Sequence, residues 1–233
     1  MEKDRTKEIL RAAVEDYIKT GRPITSEGLY EDHNFGIKPA MIRWELNDLS
    51  EAGYFYQNHP SGGRFPSDKA YRFFVEELVR DGLQARYADS EYRNSIMKFL
   101  KGEVDSFVED VSDELRMLSV GYEARKNEMW TSGLYELLEN LDLVDKEELV
   151  DVVKDFEMLP EKIKSGSWKE EEEWPKVFIG KNPFVRSKEV AVVANCLRVG
   201  NENFLFLAIG PKRMDYAKPL ELFEILNKSV ENN

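Results

Sequence analysis

The residues best placed to do chemistry in this chain are basic and apolar and lie close together: Lys38, Pro39, Ala40, Met41, Arg43 and Trp44, followed by His59, Ser61 and Arg64. Their chemistry is recognition rather than bond-making. A guanidinium such as Arg43 can contact guanine through two donors or pair with a phosphate. Its bland alternative is a surface salt bridge to Asp48 or Glu51. Lys38 stands at a helix start, where positive charge and free N–H groups both favour phosphate. Ala40 and Met41 could touch a thymine methyl. Trp44 either packs against a neighbouring hairpin, the favoured role, or approaches the sugar–phosphate backbone. Arg64, preceded by Gly62-Gly63, is the natural hairpin-tip residue for a minor groove or its phosphates. Ser26, on a short preceding helix, completes the expected DNA-contact set. No GxSxG, P-loop or HExxH pattern is present, and two distant histidines without a cysteine cluster do not make a metal site. Catalytic residues, metal and cofactor are all expected to be absent.

The elements that must position these residues follow from periodicity and punctuation. Ile9, Leu10, Ala13, Val14, Tyr17 and Ile18 recur at three and four, giving an amphipathic helix stopped by Gly21. Thr25 or Ser26 caps a short second helix. Lys38-Pro39 opens a third, with Ile42, Leu46 and Leu49 as its buried stripe. Tyr54–Gln57 and Arg64–Pro66 have strand composition around the turn residues His59–Gly63. Ser67-Asp68 caps a fourth helix, Lys69 to about Asp81. Helix, short helix, reading helix and hairpin in this order describe a winged helix-turn-helix.

Beyond a hinge at Gly82–Ser90, spacing of three and four from Glu91 to about Ala124 predicts one long linker or dimerisation helix. Glu128–Ser132 could be a strand. Leu134–Leu141 and Lys146–Met158 read as helices. Lys176–Ile179, Glu189–Leu197 and Asn203–Ile209 read as strands, with a closing helix to about Val230. Gly210–Tyr216 is expected to pack that helix on the sheet rather than line an effector cleft.

A net charge of −12 looks wrong for a DNA binder until it is located. Residues 1–80 carry 12 Lys/Arg against 14 Asp/Glu, and the rest carries 21 against 31. The acidity therefore lies in the second part, and local basic faces set phosphate affinity. The single cysteine, Cys196, sits in an apolar run and is expected in the core. The N-terminus lacks an apolar signal core and no stretch is long enough to span a membrane, so a cytoplasmic protein is expected.

The residues resemble a known family, the HrcA heat-inducible transcription repressors. In the first part the similarity runs through Ile9-Leu10, Tyr17–Pro23, Ile42-Arg43, Gly53-Tyr54, His59–Arg64, Pro66–Lys69 and Tyr71-Arg72. The family pattern there is close to YI-x-TGEPVGS, ATIRND, LE-x-x-GY and PHTSAGR-x-P-T-x-x-GYR. Toward the other end Ser132–Leu134, Val177–Gly180 with Asn182-Pro183, and Ile209–Tyr216 resemble its SG-x-x-NLL, IG-x-ENP and IGPTRMDY segments. The resemblance implies a dimeric repressor on an inverted-repeat operator upstream of chaperone genes, with a GAF-like domain and the GroE chaperonin maintaining the active form. The chain is shorter than a usual member, so that domain is expected to be minimal. Trp44 and Glu45 replace the Asn and Asp that follow the Ile-Arg pair, a departure inside the reading helix.

The expected class is thus α+β: a winged helix-turn-helix at 1–82, hinge and long helix at 83–125, and a reduced GAF-like domain with an antiparallel sheet at 126–233. The expected partners are double-stranded DNA and a second copy. Two rivals stay open: a regulator of another regulon with a small-molecule effector, and a winged-helix module that binds protein and no DNA.

Overall fold

The computed structural model describes residues 2–59, 62–82, 92–141, 146–166, 168 and 174–232. The chain divides into two compact units, Met1–Gly82 and Leu83–Asn233.

The first unit opens with α1 (Glu2–Thr20), which buries Ile9, Leu10, Ala13 and Val14. Gly21 ends it at φ 64°, donating its N–H to the Tyr17 carbonyl at 2.8 Å, the left-handed stop that glycine adopts without a Cβ penalty. In α2 (Ser26–Asp32) the N-cap is Thr25, whose hydroxyl accepts the Gly28 N–H at 3.0 Å. α3 (Pro39–Glu51) turns Ile42, Leu46 and Leu49 inward, as the spacing of four and three requires. A short antiparallel ribbon, β1 (Phe55–Tyr56) and β2 (Phe65–Pro66), follows with Phe55 opposite Pro66. α4 (Asp68–Arg80), capped by Ser67, packs on α1 through a face containing Ala70, Tyr71, Phe74 and Val75.

The second unit contains α5 (Arg93–Leu100), α6 (Val104–Leu115), β3 (Leu118–Glu123), β4 (Glu128–Ser132), α7 (Leu134–Asn140), α8 (Lys146–Ser165), β5 (Lys176–Ile179), β6 (Val190–Val199), β7 (Glu202–Pro211) and α9 (Ala217–Glu231). Among its described residues five strands form one antiparallel sheet in the order β4-β3-β7-β6-β5. Alternation along β7 sorts the two faces. Leu205, Leu207 and Ile209 join Val120, Val192, Leu159 and Ile163 in one apolar cluster. Phe204 and Phe206 meet Phe99 edge-on at 5.1 and 5.3 Å, with Phe107 5.0 Å from Phe206. The protein is α+β with an antiparallel sheet, and no helix among the described residues is long and apolar enough to cross a membrane.

The single long helix expected from Glu91 to about Ala124 does not form. Gly102 at φ 86° separates α5 from α6, and Arg116 at φ 53° ends α6 and turns the chain into β3. The apolar stripe that suggested a pairing helix (Phe99, Phe107, Val108, Val111) is buried inside this unit. The hinge positions 83–90 lie outside the described residues. α8 runs past Met158, with Pro160 inside it, because its buried stripe continues through Leu159 and Ile163. Cys196 is half-buried on β6.

Candidate nucleic-acid interface

α3 separates its side chains sharply. Ile42, Leu46 and Leu49 are buried, whereas Lys38, Ala40, Met41, Arg43, Trp44, Asn47, Asp48 and Glu51 are exposed; Pro39 at the first turn is half-buried. Met41 is 48% and Trp44 72% accessible. Scattered exposed apolar residues are ordinary, but a contiguous large apolar pair on one helix calls for a partner. Charge is graded along the same face. Lys38 and Arg43 occupy its N-terminal half; Asp48 and Glu51 occupy its C-terminal end. A polyanion is therefore favoured at the N-terminal half, which the helix dipole also favours.

The packing role expected for Trp44 is overturned by its exposure. Two other assignments are corrected by burial. Ser26 is 3% accessible and its hydroxyl donates to Glu27 Oε2 at 2.9 Å. It sits one residue after the capping Thr25, so it faces the core and cannot reach a ligand. Arg64 is 8% accessible rather than at a hairpin tip. Its Nε donates to Ser50 Oγ at 3.2 Å and its Nη2 to Asn47 Oδ1, so it clamps the ribbon to α3. Arg64 also bridges Ile24 in both directions, at 2.8 and 2.9 Å. A Cβ on Gly63 would lie 2.5 Å from the Pro23 Cβ, so only glycine admits this approach. Burial, and then the nearby positive Arg43, lowers the pKa of Arg64 from the usual guanidinium value. His59 is exposed at the turn, its carbonyl accepting the Gly62 N–H at 2.9 Å. Ser61 lies outside the described residues.

Arg43 pairs with neither Asp48 nor Glu51. Its Nη2 meets Glu27 Oε1 of α2 at 3.0 Å, both side chains being well exposed. The Ser26 hydroxyl, the Glu27 backbone N–H and the Arg43 guanidinium hold the Glu27 carboxyl below the usual glutamate range. Such an exposed pair is weak and exchangeable, so a phosphate or a guanine edge can displace Glu27. Lys69 donates to the Ala52 carbonyl at 2.8 Å and lies 4.3 Å over the Tyr54 ring, a cation at the end of α3.

Sequence reasoning missed three positioning residues. Asn47 and Ser50, spaced by three on one side of α3, receive Arg64. Glu45 accepts Arg5 Nη2 at 3.1 Å and the Thr6 hydroxyl at 2.7 Å, anchoring α3 to α1.

In the second unit the buried Asp155 of α8 accepts the N–H groups of Arg186 and Ser187 at 2.6 and 2.5 Å and Lys162 Nζ at 2.8 Å. A cleft of about 400 Å³ lies between β4 and α8, lined by Met129, Thr131, Phe156, Leu159, Pro160 and Lys164 among others. Tyr216 and Met214 of the Gly210–Tyr216 segment are buried, and the Tyr216 hydroxyl donates to the Lys212 carbonyl. Among the described residues no group of three or more His, Cys, Asp or Glu could hold a metal ion.

Residues 68–219 match the family described as HrcA protein C terminal domain. Curated relatives named heat-inducible transcription repressor HrcA include those of Frankia casuarinae, 43% identical over 45% of this chain and 30% of the relative, and Thermobifida fusca, 41% identical over 50% and 32%. The matched regions thus span about a third of those relatives' own length. A crystal structure described only as that of a hypothetical protein shares the fold, with a TM-score of 0.75 at 18% identity over 98% of this chain and 97% of that one.

Proposed function

The chain belongs to the HrcA family, and from that premise we propose that it is a DNA-binding transcription repressor of the heat-shock, chaperone-gene type. The first unit acts as a winged helix-turn-helix, in which α3 enters the major groove by its N-terminal half and the β1–β2 ribbon is the wing. The second unit is a reduced GAF-like domain. Two copies pair, and each reads one arm of an inverted-repeat operator, because two-fold protein symmetry calls for a palindromic site. The protein works in the cytoplasm as a regulator rather than an enzyme, with the GroE chaperonin as its expected partner.

The observation that carries this reading is the face of α3. Lys38, Met41, Arg43 and Trp44 are exposed together, while Arg64 and Glu45 fix the helix from behind. The test is selection of bound duplexes from a random pool with the full chain, followed by gel shifts across a salt series. An enriched inverted repeat, with log affinity falling linearly against log salt, is the expected result. Absence of salt-dependent binding to any duplex would overturn it and favour a protein-binding module.

The cleft between β4 and α8 supports a second reading, a regulator of another regulon with a small-molecule effector in that cleft. A thermal-shift ligand screen separates the two: a stabilising small molecule that also alters duplex affinity favours the second.

A further inference from the structure

We infer that Met41 and Trp44 are specificity-determining residues that read thymine methyl groups, so that the operator arm carries adjacent T·A pairs where the N-terminal half of α3 lies. The inference rests on the DNA-reading function proposed above and deepens it.

Three observations carry it. Ala40, Met41 and Trp44 stand exposed on α3, forming an apolar band on the half of the helix that Lys38 and Arg43 make attractive to DNA. Trp44 is 72% exposed, and among the described residues no ring contact covers it. The hydrogen-bonding side chains around it have other duties. Glu45 is held by Arg5 and Thr6, Asn47 Oδ1 receives Arg64, and Ser50 donates to the Leu46 carbonyl at 2.8 Å while accepting from Arg64. Among the exposed groups of this half, Lys38 and Arg43 offer donors suited to a guanine edge; Ala40 and Met41 offer carbon, and Trp44 offers an indole face with a single N–H.

In the major groove the only base feature that rewards carbon is the C5-methyl of thymine. A cytosine or guanine edge set against the Met41 thioether or the face of the indole would lose its hydration there, which is a penalty rather than a neutral exchange. The surface therefore discriminates twice, by burying methyls at T·A and by stranding polar edges at G·C.

Deoxyuridine tests this directly, because it differs from thymidine by that methyl alone. Starting from the duplex enriched by the full chain, each thymidine in one arm is replaced in turn by deoxyuridine. One or two adjacent positions should each weaken binding roughly fourfold, the worth of one buried methyl-sized group. Met41→Ala and Trp44→Ala, both exposed and so expected to fold, should each abolish the loss at one position and leave the rest of the arm unaffected. Tolerance of deoxyuridine everywhere in an enriched duplex overturns the inference and leaves the DNA-reading function standing. Failure to enrich any duplex overturns both. Unchanged duplex binding with altered self-association in the two variants overturns it in favour of a contact between copies.

Discussion

Arg64 reaches from the edge of the ribbon to Asn47 on α3, and its neighbouring nitrogen reaches Ser50 one turn on. An arginine in a glycine-rich turn is thus an internal strut between two elements that would meet the same nucleic acid.

Replacing Arg64 by alanine should remove the bonds to Asn47 and Ser50 and loosen the ribbon. The first unit should lose about 2–3 kcal/mol, the worth of hydrogen bonds to a charged group inside a protein. Denaturant unfolding measures that loss, and duplex affinity should fall by the same factor for matched and mismatched sequences. A defect confined to one base pair would mean that Arg64 touches DNA itself.

Arg43→Ala should cost about 1–3 kcal/mol of duplex affinity and relax one base preference. Gel shifts on single-base variants of the selected duplex check both parts. Unchanged specificity would assign Arg43 to phosphate or to Glu27 alone.

The depressed pKa of Glu27 fixes a sign. Its folded pKa lies below the unfolded one, so its contribution to stability is present above the ordinary glutamate range and is lost as pH falls through the depressed value. Across about pH 6–8 it stays anionic and competes with DNA for Arg43. Glu27→Gln should therefore raise affinity for every duplex, by the same factor at both ends of that interval. A gain that varies with pH there would implicate a different group.

Gly63→Ala should be far worse than Gly62→Ala. The added carbon at 63 meets the Pro23 ring at 2.5 Å and the Ile24 carbonyl at 2.9 Å, whereas at 62 its nearest neighbour is a carbonyl at 3.3 Å. Overpacking against atoms that cannot step aside costs about 1–3 kcal/mol, and comparing the two thermal midpoints reads it.

In the second unit, Asp155→Ala removes the acceptor for two backbone N–H groups and Lys162. A loss of about 3 kcal/mol is expected. It should appear in unfolding of that unit while hydrogen-exchange protection of α3 is retained.

α3 was legible because one stripe decided it: Ile42, Leu46 and Leu49 fall on a helical period and leave Met41, Arg43 and Trp44 outside. β3 was not legible. All six of its residues are buried, so no alternation marks it as a strand. Leu118 also continues the helical spacing from Val111 and Leu115, and the left-handed turn at Arg116 has no glycine to announce it. Arg64 and Ser26 misled for another reason. Arginine and serine are usually exposed, and their burial depends on partners far along the chain or on a cap that Thr25 takes instead.

Glu45 has a consequence for long-range attraction. It stands in the middle of α3, the helix proposed to meet DNA, where a carboxylate would ordinarily oppose approach. Because Arg5 and Thr6 hold it from behind, its charge is compensated locally and drops out of the potential that an incoming polyanion senses. The formal −12 of the whole chain then says little about encounter at this surface, where the nearby charges, Lys38 and the exchangeable Arg43–Glu27 pair, act within a screening length of about 8–10 Å.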